Sequence, residues 1–261
     1  MNDADRYVQD LEYCYTQQAE LFWHTRKRER PETKYVLELL RESLSTFEWN
    51  CFHIVDLWCG TWRLAQILCA VDSRIRYTGV DFAQGMIDVA TKEHASPQCE
   101  FVCADMVDFI ERLEQGSVQM IVSYAAIQHL MSHTLRQQLF LAMYKVLDRN
   151  GTIAIVNWSY SERFVKKYWK QIIKSQIKVL LTVWSTNRSW NDVLIPWKWD
   201  WKAWFIKRYY HIFTPRELTR LAENASFARV ECSYILQDGT SSSSDRTRSR
   251  NSLVTAVKAL G

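Results

Sequence analysis

The sequence predicts an α/β fold with a Rossmann-like, doubly wound sheet, because strand-like and helix-like segments alternate from residue 52 onward. The strand-like segments are short and apolar, and the segments between them repeat apolar residues at helical spacing. Such an alternation is typical of a parallel sheet covered by helices on both faces. The predicted strands are Phe52–Leu57, Arg76–Val80, Glu100–Ala104, Val118–Ser123 and Thr152–Asn157, and the predicted helices are Arg63–Ala70, Ala83–His94, Met106–Glu114 and Leu135–Leu147.

The segments that flank this core complete a single predicted domain over residues 1–261. Its four parts are N-terminal helices (1–48), a cofactor-binding core (49–160), a helical and aromatic insertion on the substrate side (161–213), and a C-terminal helix with strands (214–261). The C-terminal helix is predicted to begin at a capping box, with Thr214 as the N-cap and Glu217 bonding back to it. Two closing strands are predicted near Ala228–Ile235 and Ser252–Val257.

The composition is that of an ordinary globular chain of 261 residues, 48% of them hydrophobic. The seven cysteines form no CxxC pair and no metal-ligand spacing, which favours reduced thiols in a cytoplasmic protein without a metal site. The polar segment Met1–Asp10 does not have the pattern of a signal peptide, and the longest apolar run, Val179–Trp184, is too short to span a bilayer. The net charge of +4 is mild, so a nucleic-acid role would depend on local clusters of charge.

One segment, Val55–Arg63, is nearly a nucleotide-binding turn. It reads VDLWCGTWR, and glycine at positions 58 and 62 would make it a strand, a Gly-x-Gly-x-Gly loop and the start of a helix. Such loops use glycine because the backbone must approach the ligand closely and take up positive φ. A tryptophan there puts an indole in the space that the ligand should fill.

The composition suggests that this change is systematic, since the chain has 12 tryptophans and only 7 glycines. Glycine usually makes up about 7% of a protein. We hypothesise that some tryptophans come from a stop codon that the source organism decodes as glycine. The first candidates are Trp58 and Trp62, followed by Trp190, Trp199, Trp201 and Trp204. The alternative is a genuinely tryptophan-rich protein that has lost ligand binding.

Polar residues at successive predicted strand ends fit a nucleoside cofactor. Ligands of open parallel sheets bind beyond the carboxyl ends of the strands, where the strand order reverses. Asp81 follows Gly60 by about 20 residues, the spacing at which a carboxylate accepts hydrogen bonds from ribose hydroxyls. Asp105 can accept from an adenine amino group, while the alternative for either aspartate is a helix N-cap. The predicted cofactor-binding residues are Asp56, Trp58, Cys59, Gly60, Asp81, Phe82, Ala104, Asp105, Met106, Ser123 and Tyr124.

Five segments between residues 52 and 157 resemble, in order, the class I S-adenosylmethionine-dependent methyltransferases of the type 11-like group. They are VDLWCGTWRLA, YTGVDFAQGMIDVA, FVCADM, VSYAAIQHL and YKVLDRNGTIAIV. The resemblance implies a seven-stranded sheet whose last strand is antiparallel, and S-adenosylmethionine as cofactor. Trp58 departs from the family pattern at the central glycine of the cofactor loop.

Three further segments resemble the methyltransferases that esterify a 5-carboxymethyl group on the wobble uridine of tRNA. They are ELFWHTR (Glu20–Arg26), IQHL (Ile127–Leu130) and RYYHIFTPREL (Arg208–Leu218). This resemblance implies a role in tRNA modification with tRNA as partner, and leaves open whether a small activator protein is needed. A carboxylate acceptor is ionised at pH 7 and needs no general base.

Three residues are the candidates for handling the acceptor. Arg26 can orient an acidic group through a bidentate contact, unless it is a solvated charge in the run 26–28. His129 can border the acceptor, and the alternative is a histidine bonded locally at a helix start. Tyr210, together with its neighbours in the sequence, can stack on a flipped base or simply pack against the rim of the sheet.

A predicted amphipathic helix over residues 163–178 carries a basic stripe. Its cations are Arg163, Lys166, Lys167, Lys170, Lys174 and Lys178, and arginines follow at 246, 248 and 250. These charges can follow an RNA backbone, form a solvated face, or lie on an anionic membrane surface. The last reading favours a lipid or small-molecule methyltransferase. A non-catalytic RNA-binding or scaffold protein is the interpretation if Trp58 and Trp62 are genuine.

Overall fold

The structure, a computed structural model, describes residues 3–25, 30–61, 63–182, 189–197 and 206–259. Within these ranges the strands are β1 (Phe52–Leu57), β2 (Ile75–Asp81), β3 (Cys99–Cys103), β4 (Val118–Tyr124), β5 (Leu147–Trp158), β6 (Asp192–Trp197), β7 (Ile206–His211), β8 (Ala228–Leu236), β9 (Ser241–Ser242) and β10 (Ser249–Val257). The helices are α1 (Asp3–Thr25), α2 (Thr33–Ser45), α3 (Arg63–Cys69), α4 (Gln84–His94), α5 (Met106–Arg112), α6 (His133–Val146), α7 (Glu162–Thr182) and α8 (Pro215–Asn224).

The central sheet has the strand order β3-β2-β1-β4-β5-β10-β8-β9. Strands β1 to β5 pair in parallel, and β10 lies antiparallel between β5 and β8. The predicted doubly wound sheet with an antiparallel last strand is therefore confirmed. An eighth strand joins the seven expected because Ser241 and Ser242 turn back and pair with β8.

The strand order reverses between β1 and β4, which are neighbours in the sheet although β2 and β3 separate them in sequence. Both strands are buried because helices cover the two faces of the sheet, and their side chains enter two separate hydrophobic clusters. Leu57 belongs to the cluster under α5, α6 and α8, and Ile54 to the cluster under α2 and α3. The carboxyl ends of β1 and β4 thus meet at the edge where ligands bind in this kind of sheet.

The N-terminal helix α1 packs across α4 beside this edge. The contact is close because Gly85 lies against the backbone of Thr16, where an added Cβ would collide with the carbonyl oxygen. Phe22 and Ala19 of α1 pack with Met86 of α4 in a small apolar cluster. This packing places α1 next to the loops that follow β1 and β2.

The predicted insertion contains a long helix and a hairpin. Helix α7 includes the predicted basic segment and has a kink at Tyr168, where φ is −120° and ψ is 17°. Strands β6 and β7 form a separate antiparallel pair, which the sequence analysis did not predict. Trp62, Trp199, Trp201 and Trp204, all named as glycine candidates, lie outside the described residues.

The start of α8 differs in part from its prediction. Thr214 is the N-cap, and its hydroxyl accepts a hydrogen bond from the backbone N–H of Glu217 at 3.2 Å, as expected. The Glu217 side chain does not complete the capping box, because its carboxylate instead bonds Nε2 of the buried His211 at 2.7 Å. A charge-assisted bond to a buried histidine is stronger than one to a backbone N–H at a helix end.

Candidate active site at the strand ends

The loop after β1 has the backbone of a glycine loop. Trp58 and Gly60 both adopt the left-handed conformation, with φ of 62° and 60°. The backbone N–H of Cys59 donates to the carbonyl oxygen of Val80 at 2.9 Å, and that of Gly60 donates to Oδ2 of Asp81 at 3.0 Å. These bonds fix the loop to the end of β2. Positive φ costs a residue with a Cβ about 1–2 kcal/mol relative to glycine, so position 58 carries strain that position 60 does not.

The indole of Trp58 lies between two other rings. It stacks on Phe82 with a centroid distance of 4.6 Å and an interplanar angle of 19°, and on His129 with 4.9 Å and 25°. Tyr15 of α1 meets its edge at 6.2 Å. The buried Nε1 of this indole has no hydrogen-bond partner among the described residues. We call the space bordered by Tyr15, Phe82 and His129 the strand-end cleft, and Trp58 fills it.

Asp81 is buried at the end of β2 and holds the entrance of α4 as well as the loop. Its Oδ1 accepts from the backbone N–H of Ala83 at 3.0 Å. Burial raises the pKa of Asp81 to about 6, although hydrogen bonds from the backbone of Ala83, Gly60 and Phe82 lower it. The carboxylate predicted to meet ribose hydroxyls therefore lies at the predicted strand end, where backbone N–H groups of the loop and of the start of α4 already donate to it.

Asp56 lies deeper, within β1. Its Oδ2 accepts a hydrogen bond from the hydroxyl of Tyr77 at 2.6 Å, and Oδ1 has no partner among the described residues. Burial raises the pKa of the Asp56 carboxyl to about 7, opposed by the bond from Tyr77 and reinforced by the nearby charge of Asp81. Two carboxyl groups with raised pKa values thus lie under the loop.

The residues after β3 form the next part of this edge. The backbone N–H of Ala104 donates to the carbonyl oxygen of Asp81 at 3.0 Å, which joins the ends of β2 and β3. Asp105 is the N-cap of α5, and its Oδ1 accepts from the N–H groups of Val107 at 2.8 Å and Asp108 at 3.3 Å. Its side chain is exposed, while Met106 is buried. The N-cap alternative for Asp105 is therefore observed.

The end of β4 forms the other side of this edge. The buried hydroxyl of Ser123 donates to the carbonyl oxygen of Leu57 at 3.0 Å, which ties β4 to β1. The ring of Tyr124 lies under the guanidinium of Arg30 at 5.7 Å. Ser123 thus has a structural bond, and Tyr124 points toward the segment between α1 and α2.

His129 follows β4 in a short 3-10 turn and is buried. Burial, together with the charge of Arg208, lowers its pKa to about 3, so the imidazole is neutral at pH 7. Its Nδ1 lies 2.9 Å from the carbonyl oxygen of Tyr209. A carbonyl can only accept a hydrogen bond, so Nδ1 carries the proton and Nε2 carries the lone pair. His129 therefore borders the cleft in its neutral form.

Tyr210 lies behind His129 rather than at the surface. Its ring stacks on Trp158 with a centroid distance of 4.7 Å and an angle of 12°, and contacts His129 at 4.6 Å. The side chain is only 1% exposed, so in this conformation it offers no face to a flipped base. The alternative of packing at the rim of the sheet is the arrangement that the structure has. Arg26, the third acceptor candidate, lies outside the described residues.

Several residues that contact this cleft or its neighbouring hairpin were not predicted from the sequence. Tyr15 reaches the cleft from α1, and Arg208 of β7 lies over the ring of Tyr210 at 5.1 Å. Asp192 of β6 accepts at Oδ1 from the hydroxyl of Tyr209 and from Nδ1 of His211, at 2.7 and 2.6 Å. No local spacing signals these contacts, because they depend on how α1 and the hairpin dock. Among the described residues, no group of three His, Cys, Asp or Glu side chains is arranged to hold a metal ion.

The fold and this edge together define a class of architecture: the chain has the Rossmann-like α/β fold of the class I S-adenosylmethionine-dependent methyltransferases. Residues 54–151 match the family model described as a methyltransferase domain. That range begins within β1 and ends within β5, and it includes the loop and every predicted cofactor-binding residue.

Two curated relatives match segments of similar length, 102 and 109 residues. A malonyl-[acyl-carrier protein] O-methyltransferase from Priestia megaterium is 33% identical over 38% of this chain and 34% of its own length. A trans-aconitate 2-methyltransferase from Klebsiella pneumoniae is 34% identical over 41% of this chain and 40% of its own length. The chain thus spans well under half of the length of these relatives.

Solved structures show the same fold over most of the chain. A SAM-dependent methyltransferase from Methanosarcina mazei matches with a TM-score of 0.61 and 16% identity, over 84% of this chain and 97% of that chain. A putative methyltransferase in complex with the Haloferax volcanii Trm112 methyltransferase activator matches with a TM-score of 0.57 and 14% identity, over 98% of this chain and 97% of that chain. At these identities the likeness concerns the fold alone.

Proposed function

We propose that this chain is an S-adenosylmethionine-dependent methyltransferase that esterifies a carboxylate, in a form that has glycine at position 58. The observation that carries the proposal is the loop after β1, whose left-handed residues 58 and 60 are bonded to the end of β2 at Val80 and Asp81. A loop of this shape at the reversal of strand order is how the fold receives a nucleoside ligand. The family match over residues 54–151 supports the same reading.

The sequence as written does not fit the cofactor. The loop backbone and Asp81 suit it, but the Trp58 indole fills the strand-end cleft between Phe82 and His129. Glycine at position 58 would remove the indole and, with it, the buried Nε1 that lacks a hydrogen-bond partner. It would also remove the strain that a positive φ causes in a residue with a Cβ. Three features of one residue therefore support the hypothesis that position 58 is glycine in the native protein.

The acceptor that we propose is a carboxylate. The names of both curated relatives point to acidic acceptors, since a malonyl group and trans-aconitate each carry a free carboxylate. A carboxylate with a pKa near 4 is already ionised at pH 7, so attack by its oxygen requires no general base. The neutral His129 at the cleft suits this chemistry, because it neither needs to remove a proton nor places a positive charge beside the methyl donor.

Among carboxylate acceptors, we propose the 5-carboxymethyl group on the wobble uridine of a tRNA. The segments around Glu20–Arg26, Ile127–Leu130 and Arg208–Leu218 support it by their resemblance, and the whole-length match to a methyltransferase in complex with an activator protein supports a small activator subunit. The buried position of Tyr210 gives it no support. A small-molecule or lipid-linked acid is the competing acceptor, favoured by the names of the curated relatives.

Binding of the cofactor tests the central claim. Calorimetric titration with S-adenosylmethionine is expected to give no heat with the chain as written and micromolar-range binding with Trp58→Gly. Trp49→Gly is the matched control, because that indole is 71% exposed, and it should not restore binding. Binding by the unchanged chain equal to that of Trp58→Gly would show that the indole does not block the cleft. Failure of both to bind would support the non-catalytic reading.

Methyl transfer then tests the acceptor. Trp58→Gly is incubated with labelled S-adenosylmethionine and one acceptor at a time: total tRNA, a malonyl thioester or trans-aconitate. Each incubation is done with and without an activator protein. A methyl ester is released by mild alkali, whereas a methyl group on a base nitrogen or carbon is retained. An alkali-stable product would contradict the proposal of a carboxylate acceptor. Labelling of tRNA alone would support the wobble uridine over a small-molecule or lipid-linked acid. The mass of the peptide that contains position 58, from the protein of the source organism, decides the native residue there.

A further inference from the structure

Helix α7 has an apolar row that faces solvent. The row repeats every four residues and then three, and each side chain is between 41% and 59% exposed: Val165, Trp169, Ile173, Ile177 and Leu180. This spacing keeps the five side chains on one side of the helix. Such a row on an outer helix marks a surface that contacts another molecule or a membrane.

The same helix has a second, buried apolar row that fixes its orientation. Phe164, Ile172 and Val179 are each less than 9% exposed. Phe164 and Ile172 pack with Val193 and Ile195 of β6 in one cluster. The inner face of α7 is thus committed to the hairpin, so the outer row is not a core surface that has turned outward.

A basic arc adjoins the outer apolar row. Successive residues of a helix are rotated by about 100°, so Lys166, Lys170, Lys174 and Lys178 lie beside Val165, Trp169, Ile173 and Ile177. All four lysines are exposed. The only carboxylate of α7 is Glu162, which pairs with Lys166 at 2.6 Å at the start of the helix. Among the described residues of α7, no acidic side chain follows Glu162, and the net charge of the outer face is strongly positive.

We propose that α7 lies on an anionic lipid surface, with its outer apolar row in the interface and its lysines at the headgroups. Aliphatic side chains beside lysines on an exposed helix are the pattern of an interfacial helix, because lysine stems extend along apolar surface while their charges reach the phosphates. The phosphates of a nucleic acid would pair with the lysines, but a nucleic-acid backbone offers no apolar surface to the exposed isoleucine, valine and leucine side chains. None of the described helices is long and apolar enough to cross a bilayer, so α7 would bind along the surface.

Sedimentation with lipid vesicles tests this proposal without any cofactor. The chain is expected to bind vesicles of phosphatidylcholine with about one-third phosphatidylserine, and to bind pure phosphatidylcholine at least tenfold more weakly. Binding to the anionic vesicles should fall steeply with added salt. Equal binding to both vesicles, or none to either, would overturn the proposal.

Two double variants separate the apolar row from the basic arc. Ile173→Ser/Ile177→Ser and Lys170→Gln/Lys174→Gln should each weaken binding to anionic vesicles about tenfold or more. Leu141→Ser and Lys145→Gln are matched controls on α6, where both side chains are exposed, and they should bind as the unchanged chain does. Circular dichroism melts of all variants check that the fold is retained.

Quenching by brominated lipid gives a second measurement that does not depend on affinity. The difference in fluorescence between the unchanged chain and Trp169→Phe reports the depth of that indole. Quenching of this difference signal is expected, and its absence in vesicle-bound protein would exclude the proposed orientation. Binding to a short RNA that depends on Lys170 and Lys174 but not on Ile173 and Ile177, without vesicle binding, would replace the membrane with a nucleic acid.

Discussion

The indole of Trp58 stacks on the phenyl ring of Phe82, with ring centroids 4.6 Å apart and planes inclined by 19°. Phe82 follows the carboxylate at the end of β2, and Trp58 stands in the loop that is bonded to that carboxylate. The two rings therefore occupy the edge of the sheet where this fold binds a nucleoside. The stacked rings cover the apolar surface of the cleft, which a bound ligand would otherwise cover.

The strain at position 58 can be measured separately from the indole. Trp58→Gly and Trp58→Ala both remove the ring, but alanine keeps a Cβ at a φ of 62°. We expect the glycine variant to be more stable toward urea by about 1 kcal/mol, because only glycine takes up this conformation without a steric cost.

The control for that comparison is Trp49, which is exposed and is not among the described residues with positive φ. There the order should reverse, since glycine gains more conformational entropy than alanine when the chain unfolds, a difference of about 0.4–1 kcal/mol. Equal stability of the two variants at position 58 would argue against a left-handed loop.

Asp56 gives the protein a stability that depends on pH. Burial raises the pKa of its carboxyl to about 7 in the folded chain, whereas an unfolded aspartate has a pKa near 4. Between these values the folded state holds a proton that the unfolded state releases, so the free energy of unfolding falls as the pH rises. We expect a decrease of up to about 1.4 kcal/mol per pH unit from this group.

Asp56→Asn removes that titration while retaining a polar side chain at the hydroxyl of Tyr77. Urea unfolding at pH 4, 5.5 and 7 should therefore show the variant gaining relative to the unchanged chain as the pH rises. Asp81 keeps its own raised pKa of about 6, so some slope should remain in the variant. Parallel curves for the two proteins would mean that Asp56 is ionised when folded.

The alternating core was predictable because each element is specified locally. Apolar runs such as Val118–Ser123, and the helical spacing that follows them, determine strand and helix with little influence from distant residues. The predicted position of Asp81 at a strand end followed directly from that pattern. The loop could be proposed as a ligand site for the same reason, since a near-glycine motif between a strand and a helix is also a local signal.

The contacts that were not predicted are those that depend on docking between distant segments. Glu217 has the sequence position of a capping-box residue, but folding brings the buried His211 within 2.7 Å of its carboxylate. Strand β6 contains Pro196, which counts against a strand in a local reading, although the outer edge of a two-stranded pair tolerates it. Tyr210 lies in a polar and aromatic segment that is typical of a surface, but side chains of α7 and the ring of Trp158 cover it.

A pair of thiols offers a redox prediction. Sγ of Cys69, at the end of α3, lies 3.0 Å from Sγ of the buried Cys99 in β3. Burial, together with the contact with Cys99, raises the pKa of Cys69, so this thiol is protonated and unreactive at neutral pH. We expect slow formation of a disulfide with a thiol oxidant such as diamide above pH 9, seen as loss of two titratable thiols.

Cys69→Ser should abolish that disulfide and leave the other thiols as they were. Cys51 and Cys103 are exposed and should react first with an alkylating reagent, which makes them an internal reference. Two samples of the unchanged chain are unfolded and alkylated, one after oxidation and one in the reduced state. Peptide masses should show Cys69 and Cys99 unmodified only in the oxidised sample, which identifies the pair. A disulfide between any other cysteines would contradict the arrangement.

The bridge from Asp192 to Glu217 through His211 should be the most pH-sensitive structural element beside the cleft. Burial opposes the charged imidazole, but the hydrogen bonds from His211 to Asp192 and Glu217 outweigh it and raise its pKa. The stabilisation is therefore complete below the unfolded pKa of about 6.5 and is lost as the pH rises through the higher folded value. Asp192→Asn would leave a buried imidazolium with one carboxylate fewer.

We expect Asp192→Asn to cost about 3 kcal/mol of unfolding free energy at pH 6, and progressively less as the pH rises and His211 loses its charge. Asp72→Asn, which breaks a surface pair with Arg74, is the control and should have a much smaller effect. Asp192 also accepts from the hydroxyl of Tyr209, whose carbonyl oxygen accepts from His129. Loss of the bridge should therefore shift the imidazole NMR signals of His129, and unchanged signals would show that the hairpin does not position it.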